Sequence, residues 1–408
     1  MRGIVALDEV RSRAQPEPHA VAACPSCGQS GARVIYRAES VPVHSCVLLD
    51  SAAEARAFPR RDLELAFCQT CGFVFNHLFD KSVMRYSTNF EESQHFSDTF
   101  SAFARKLARE VAEKCDVAGK QVLEIGCGKG EFLAELCTVG DAQGVGIDPG
   151  YRADNGRGQQ ANVRYIVDFY SPRYKGLNAD VILCRHTLEH IPDAQSFVRM
   201  IRESIDRDDI SIVFETPDAL RVLKEGAFWD IYYEHCSYFS AGAHARLFRR
   251  EDFDVTELSV VYNDQYIVQY ARPAAAPTQA RFRAEFDLPT MSALAAAFPT
   301  RVNDVKTAWQ TRIAQAAAHG DRIVLWGGGS KGVAFLTTLG LDEEITAVVD
   351  VNPYKQGKFM PGTGHEVVAP AALAAIRPDV VILMNPIYAR EVQSQLNTLE
   401  IKADLLAV

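Results

Sequence analysis

An apolar strand running straight into a glycine-punctuated turn constrains this chain more than any other stretch: Val122-Leu123-Glu124-Ile125-Gly126-Cys127-Gly128-Lys129-Gly130. With no Cβ at Gly126, Gly128 and Gly130, the backbone can turn tightly and bring main-chain N–H groups close to a ligand, as a nucleoside cofactor requires. The run that starts the next strand, Val145-Gly146-Ile147, ends in Asp148, 22 residues after Gly126. A carboxylate at that point of a parallel α/β sheet can hold two ribose hydroxyls. Turn and acid together predict a nucleoside pocket.

Three further signals stand in order along the chain. Glu124 precedes the first glycine by two residues. Asp168-Phe169 follows a third apolar run, Val163 to Val167, where a carboxylate and a ring can meet an adenine. A fourth run, Ala179 to Cys184, leads into His186-Thr187-Leu188-Glu189-His190-Ile191-Pro192-Asp193. This series resembles the class I S-adenosylmethionine-dependent methyltransferases rather than the dinucleotide dehydrogenases, whose glycines follow GxGxxG spacing. The cofactor-binding set is then Glu124, Gly126, Cys127, Gly128, Gly130, Asp148, Asp168 and Phe169.

At 408 residues the chain exceeds what one hydrophobic core usually serves, so two or three domains are expected. The formal charge of −9 argues against a phosphate-backbone partner, which needs clustered Lys and Arg, and directs attention to a small-molecule substrate rather than nucleic acid. The first residues, Met1 to Glu9, hold no long apolar region, and no run of roughly 18 apolar residues spans a bilayer. A soluble cytoplasmic protein with no membrane partner is expected.

Ten cysteines in such a chain read as thiols and metal ligands rather than a disulfide frame. Cys24-Pro25-Ser26-Cys27-Gly28 and Cys68-Gln69-Thr70-Cys71-Gly72 each place two thiolates on a tight turn. Brought together, Cys24, Cys27, Cys68 and Cys71 make a tetrahedral site suited to Zn²⁺, closed and therefore structural. The loop of about 40 residues between the knuckles costs little entropy. His44 and Cys46 lie within it at a spacing that matches neither knuckle, and are read as loop residues.

The organisation expected is a flexible extension over 1–22, a zinc-binding module over 23–82, a cofactor-binding domain over 83–272 and a C-terminal domain over 273–408. Phe100, Phe103, Leu107, Val111 and Ala112 recur at helical spacing and predict a helix leading into the first cofactor strand. Pro273-Ala-Ala-Ala-Pro277 marks a linker. A second strand-glycine-helix unit, Arg322 to Val333, and a second acidic strand end at Asp350 predict a second Rossmann-like domain, either scaffold or a ligand contact through Lys331 and its helix N-terminus. The fold class is α/β.

Carbon, oxygen or nitrogen acceptors all need an aligned nucleophile. Trp229 to Phe239 supplies the richest local chemistry: His235 as general base, Glu234 beside it to hold an imidazole, and Tyr232, Tyr233 and Tyr238 as phenol donors to a developing oxyanion. Tyr233 and Phe239 are weighed toward packing. His190 follows the fourth strand, in the crevice where ligands bind.

The two CxxCG knuckles, Val41-Pro42-Val43, Asn89 to Gln94, Glu124 to Gly130, Tyr232-Tyr233-Glu234-His235, Trp326 to Gly332, Val349 to Pro353 and Met384-Asn385-Pro386-Ile387-Tyr388 together resemble the nucleotide-sugar C-methyltransferases of deoxysugar biosynthesis. That resemblance implies a zinc-binding N-terminal module, a central class I methyltransferase domain and a Rossmann-like C-terminal domain. It implies methyl transfer from S-adenosylmethionine to a carbon adjacent to the keto group of a nucleotide-linked deoxysugar. His235 would form the enolate, Glu234 would be its partner, and Tyr232, His190 and Tyr86 would face the substrate. Around Tyr86 the sequence departs from the family's tyrosine-rich segment, with Phe90 where a hydroxyl is expected. An O- or N-methyltransferase of a small metabolite and a non-catalytic cofactor-binding scaffold stay open as alternatives.

Overall fold

The structure, a computed structural model, describes residue 21 and residues 23–84, 89–153 and 160–408. Tyr86 and all of the expected extension except Val21 lie outside the described residues.

Three sheets organise the chain. Strands β1 (Arg33–Pro42), β2 (Arg60–Phe67) and β3 (Val74–Asn76) form an antiparallel set, with the first cysteine knuckle before β1 and the second between β2 and β3. Five parallel strands follow: β4 (Gln121–Ile125), β5 (Gln143–Ile147), β6 (Val163–Ile166), β7 (Val181–Arg185) and β8 (Ser211–Pro217). Central β4 and β7 are nearly continuous apolar runs, as strands covered on both faces must be. The short β9 (Ser237–Tyr238) then leaves this domain and pairs with β3, so the N-terminal sheet is completed by the central part of the chain. Antiparallel β10 (Phe253–Val261) and β11 (Tyr266–Pro273) extend the central sheet to the order β10-β11-β8-β7-β4-β5-β6.

The chain moves outward from β4 to β5 and β6, then returns to β7 on the other side of β4. That reversal opens a crevice beyond the carboxyl ends of β4 and β7, where ligands bind in such sheets. A third, wholly parallel sheet contains β12 (Ile323–Trp326), β13 (Ile345–Val349), β14 (Val367–Val368), β15 (Val380–Leu383) and β16 (Asp404–Ala407), in the order β14-β13-β12-β15-β16. It reverses in the same way beside β12.

The expected helix before β4 spans Asp98–Lys114; Ser97 caps it by accepting the Phe100 N–H, and Phe100, Leu107 and Val111 are buried on one face. A helix of 32 residues, Leu288–His319, follows the linker region. Its Met291, Phe298, Val302 and Trp309 share one core with Ile35, Leu63 and Leu65 of the first sheet and with Ile323 and Leu325 of the third. The second core joins Cys24, Cys68, Cys71 and Phe73 to Ile125, Ile182 and Phe214 of the central sheet. These shared cores hold the three sheets around one cavity.

Candidate active site

The cavity has a volume of about 1050 Å³, and both glycine turns open into it. At the first, Gly126 N–H donates to Ile147 O at 2.8 Å, and Gly126 adopts a φ of 71°, where a side chain would be strained and an added Cβ would run into Thr187 Oγ1. Asp148 receives Gly128 N–H on Oδ2 at 2.9 Å and Gly150 N–H on Oδ1 at 2.6 Å, so the acidic strand end is tied to the turn while still lining the cavity. Cys127 is buried beside it; burial pushes its thiol well above the usual range, which makes it an apolar wall.

Glu124 is buried at the end of β4, and its Oε2 has no hydrogen-bond partner among the described residues. Burial raises its carboxyl to about 7, against the opposing pull of Arg185. Phe169 exposes its ring on the cavity wall, 62% accessible, whereas Asp168 accepts the Phe169 N–H and is held by Tyr174 and Arg173. A ligand with ammonium and hydroxyl donors and a flat base matches an orphaned carboxylate, a second carboxylate and an exposed ring. S-adenosylmethionine has those groups.

Opposite the turn stand His190 and His235, their rings edge to face with centroids 4.7 Å apart, and Tyr232, whose ring is 4.3 Å from that of His235. Burial first, then His190, His186 and Lys331, depress His235 well below 6.5, so its imidazole is neutral at neutral pH. Burial also lifts Tyr232 well above 10, keeping its phenol a donor. His190 Nδ1 lies 3.1 Å from Glu234 O, a carbonyl that only accepts, so Nδ1 carries a hydrogen and donates it there. Tyr233 and Phe239 are fully buried packing residues, as expected; the Tyr233 hydroxyl also accepts the Asp80 N–H.

Glu234 is not the partner of His235. Its carboxylate accepts the Ser45 N–H at 3.1 Å and the Ser45 hydroxyl, and lies 3.0 Å from His44 Nδ1, because adjacent side chains on non-helical backbone diverge. His44, Ser45 and Glu234 are all buried. Burial opposes the charge on Glu234, but His44, His190 and Ser45 together outweigh it and lower the carboxyl. His44 therefore belongs to the site's hydrogen-bond network rather than to a plain loop. Ser45 Oγ, its one proton given to Glu234, accepts from the Ser330 hydroxyl at 2.8 Å, so the C-terminal glycine turn reaches the same node.

A second group was absent from the sequence-based set. Arg185 Nε is 2.5 Å from Glu215 Oε2, and His186 lies 3.5 Å from Glu215 and 3.4 Å from Glu189. Burial disfavours the His186 cation, yet Glu215 and Glu189 raise it to about 9. The signal was present only as a histidine and an acid close together directly after an apolar run, His186-x-x-Glu189; His186, at a φ of 48°, precedes the turn Leu188–His190, and the pairing with Glu215 is long-range. Lys331, expected to attract an anion, is paired with Asp230, which also holds Arg221.

The knuckles converge, with Cys24 and Cys71 sulfurs 3.7 Å apart and Cys27 and Cys68 sulfurs 3.6 Å apart. Four thiolates around Zn²⁺ at about 2.3 Å would lie about 3.8 Å from one another. The donor set and its spacing fit that ion. Arg246 and Arg250 donate to Cys71 O and Ser26 O, fastening both turns to the helix Ala241–Arg250.

A methyltransferase-domain family model matches residues 95–258, and a C-methyltransferase C-terminal domain model matches residues 270–404. The chain is 26% identical over 388 residues to the C-methyltransferase NovU of Streptomyces niveus, covering 90% of each. It is 36% identical over 94 residues to a ubiquinone biosynthesis O-methyltransferase of Albidiferax ferrireducens, covering 21% of this chain and 36% of that protein, about a third of its length. A magnesium protoporphyrin IX methyltransferase from Synechocystis matches with a TM-score of 0.34 and 16% identity, over 43% of this chain and 84% of that one.

Proposed function

This chain belongs to the S-adenosylmethionine-dependent C-methyltransferase family, and we propose that it methylates a carbon beside the keto group of a nucleotide-linked deoxysugar, with His235 as base. The observation that carries this reading is His235, clustered with Tyr232 and His190, facing the same cavity as the Gly126–Gly130 turn. S-adenosylmethionine, when bound, supplies an electrophilic methyl group. Glu124, the turn's N–H groups, Asp148, Asp168 and Phe169 would hold it.

His235 takes a proton from the acceptor carbon, and the keto oxygen gains charge as the enolate forms. Tyr232, a phenol that stays protonated, donates to that oxygen. His190 lines the acceptor side, its ring fixed by the bond to Glu234 O. The second glycine turn faces the same space, and a cavity of about 1050 Å³ has room for a cofactor together with a nucleotide-linked sugar. Cys24, Cys27, Cys68 and Cys71 hold Zn²⁺ in a structural role.

Methyl-labelled cofactor incubated with a panel of nucleotide-linked keto sugars tests the acceptor by product mass spectrometry. The label is expected on a ring carbon of a nucleotide-linked keto sugar. Label on oxygen or nitrogen, or on no member of the panel, would overturn the acceptor assignment.

A further inference from the structure

We infer that Glu92, on a segment outside the strands that build the nucleoside pocket, is a further cofactor-holding carboxylate, which accepts a hydrogen bond from a ribose hydroxyl of bound S-adenosylmethionine. This role rests on the cofactor placement proposed above, not on the acceptor or on His235. Glu92 lines the cavity, its side chain 34% exposed. A Cβ added at Gly128 would stand 2.8 Å from Glu92 Oε1, and Gly128 N–H donates to Asp148 Oδ2 at 2.9 Å. Two carboxylates thus flank a residue whose missing side chain lets a ligand approach the backbone. Asp148 already accepts one backbone N–H on each oxygen, so a ribose diol at this turn gains from a second acceptor.

What Glu92 lacks is a donor rather than a counter-charge. Lys129 Nζ, itself buried, stands 3.7 Å from Glu92 Oε2, beyond hydrogen-bond distance, and donates to Gly150 O at 2.9 Å instead. Lys129 therefore meets the charge, while Oε2 has no hydrogen-bond partner among the described residues. A hydroxyl supplies a donor without adding charge. Burial raises the Glu92 carboxyl to about 7, Lys129 pulls it down, and Asp148 and Glu91 add to the rise; a donated hydrogen bond favours the ionised form. Bonds on either side of Glu92 place it before a ligand arrives. Glu91 N–H donates to Cys46 O at 2.8 Å, and the Glu91 carboxylate is held by Arg152 at 2.7 Å and by Asn352 at 3.0 Å. Ser93 Oγ donates to Glu131 Oε2 at 2.8 Å. The segment is thus tied to the N-terminal, central and C-terminal regions at once, as a preorganised binding group requires.

Calorimetric titration of the full chain with S-adenosylhomocysteine, and with its 2′-deoxy and 3′-deoxy derivatives, reads the contact without turnover. Glu92→Ala and the shape-preserving Glu92→Gln, each with an unfolding temperature matching wild type, are expected to bind S-adenosylhomocysteine roughly tenfold more weakly, as loss of a hydrogen bond to a charged group implies. For the derivative lacking the hydroxyl that Glu92 holds, the variants should bind within about twofold of wild type, because the contact is already gone. Undiminished affinity for S-adenosylhomocysteine in the folded variants, or an equal loss with both deoxy derivatives, would overturn the assignment. Failure of the cofactor placement itself is read separately, from Asp148→Ala in an otherwise wild-type chain that still binds S-adenosylhomocysteine at full strength.

Discussion

His186 shows how much of the site's electrostatics resides in single side chains. Raised to about 9 between Glu215 and Glu189, it is a cation at neutral pH and, with burial and His190, helps hold His235 below 6.5. A neutral base is present above its own pKa and lost as pH falls through it. The pH profile of kcat/KM is therefore expected to keep its acid limb below pH 6.5 in wild type and to move it upward in His186→Asn. A wild-type limb above 6.5, or no movement in the variant, contradicts this electrostatic account. The sequence identified His235, His190 and Tyr232 by type and neighbourhood. It misdirected Glu234 and passed over His44, because a bond between residues 190 positions apart leaves no local mark.

At the level of elements, the strands β4 to β8 were legible, since their apolar runs and glycine or acidic ends are local patterns. The two-residue β9 was not, because its pairing with β3 is decided by tertiary packing. The helix Leu288–His319 was hidden by Pro299 in its interior, a residue that normally ends a helix, and by a run of alanines that blurs its apolar face. The cysteine turns were plain from their spacing, and each connects to the central sheet through a shared core. Removing the metal by chelation, or Cys68→Ser, is expected to cost about 4 kcal/mol or more of stability. Thermal unfolding with parallel measurement of S-adenosylmethionine affinity checks this. Selective loss of turnover with unchanged unfolding would contradict a structural ion.

Across the whole molecule, the three sheets meet where chemistry is expected. Glu234 of the central region binds Ser45 of the N-terminal region, Ser45 binds Ser330 of the C-terminal turn, and Glu234 O fixes His190. The third sheet repeats the first turn closely: Gly328 N–H meets Asp350 Oδ2 at 2.9 Å, as Gly128 N–H meets Asp148. Among the described residues no helix is long and apolar enough to cross a membrane. Methyl transfer to carbon is the reaction proposed for this chain, and the central claim is that His235 removes the proton at that carbon. Solvent-deuterium wash-in beside the ketone of a nucleotide-linked keto sugar, in wild type and His235→Ala, tests it most directly. Wash-in by wild type that disappears in a His235→Ala variant still binding cofactor is predicted, whereas undiminished wash-in in that variant would contradict the claim.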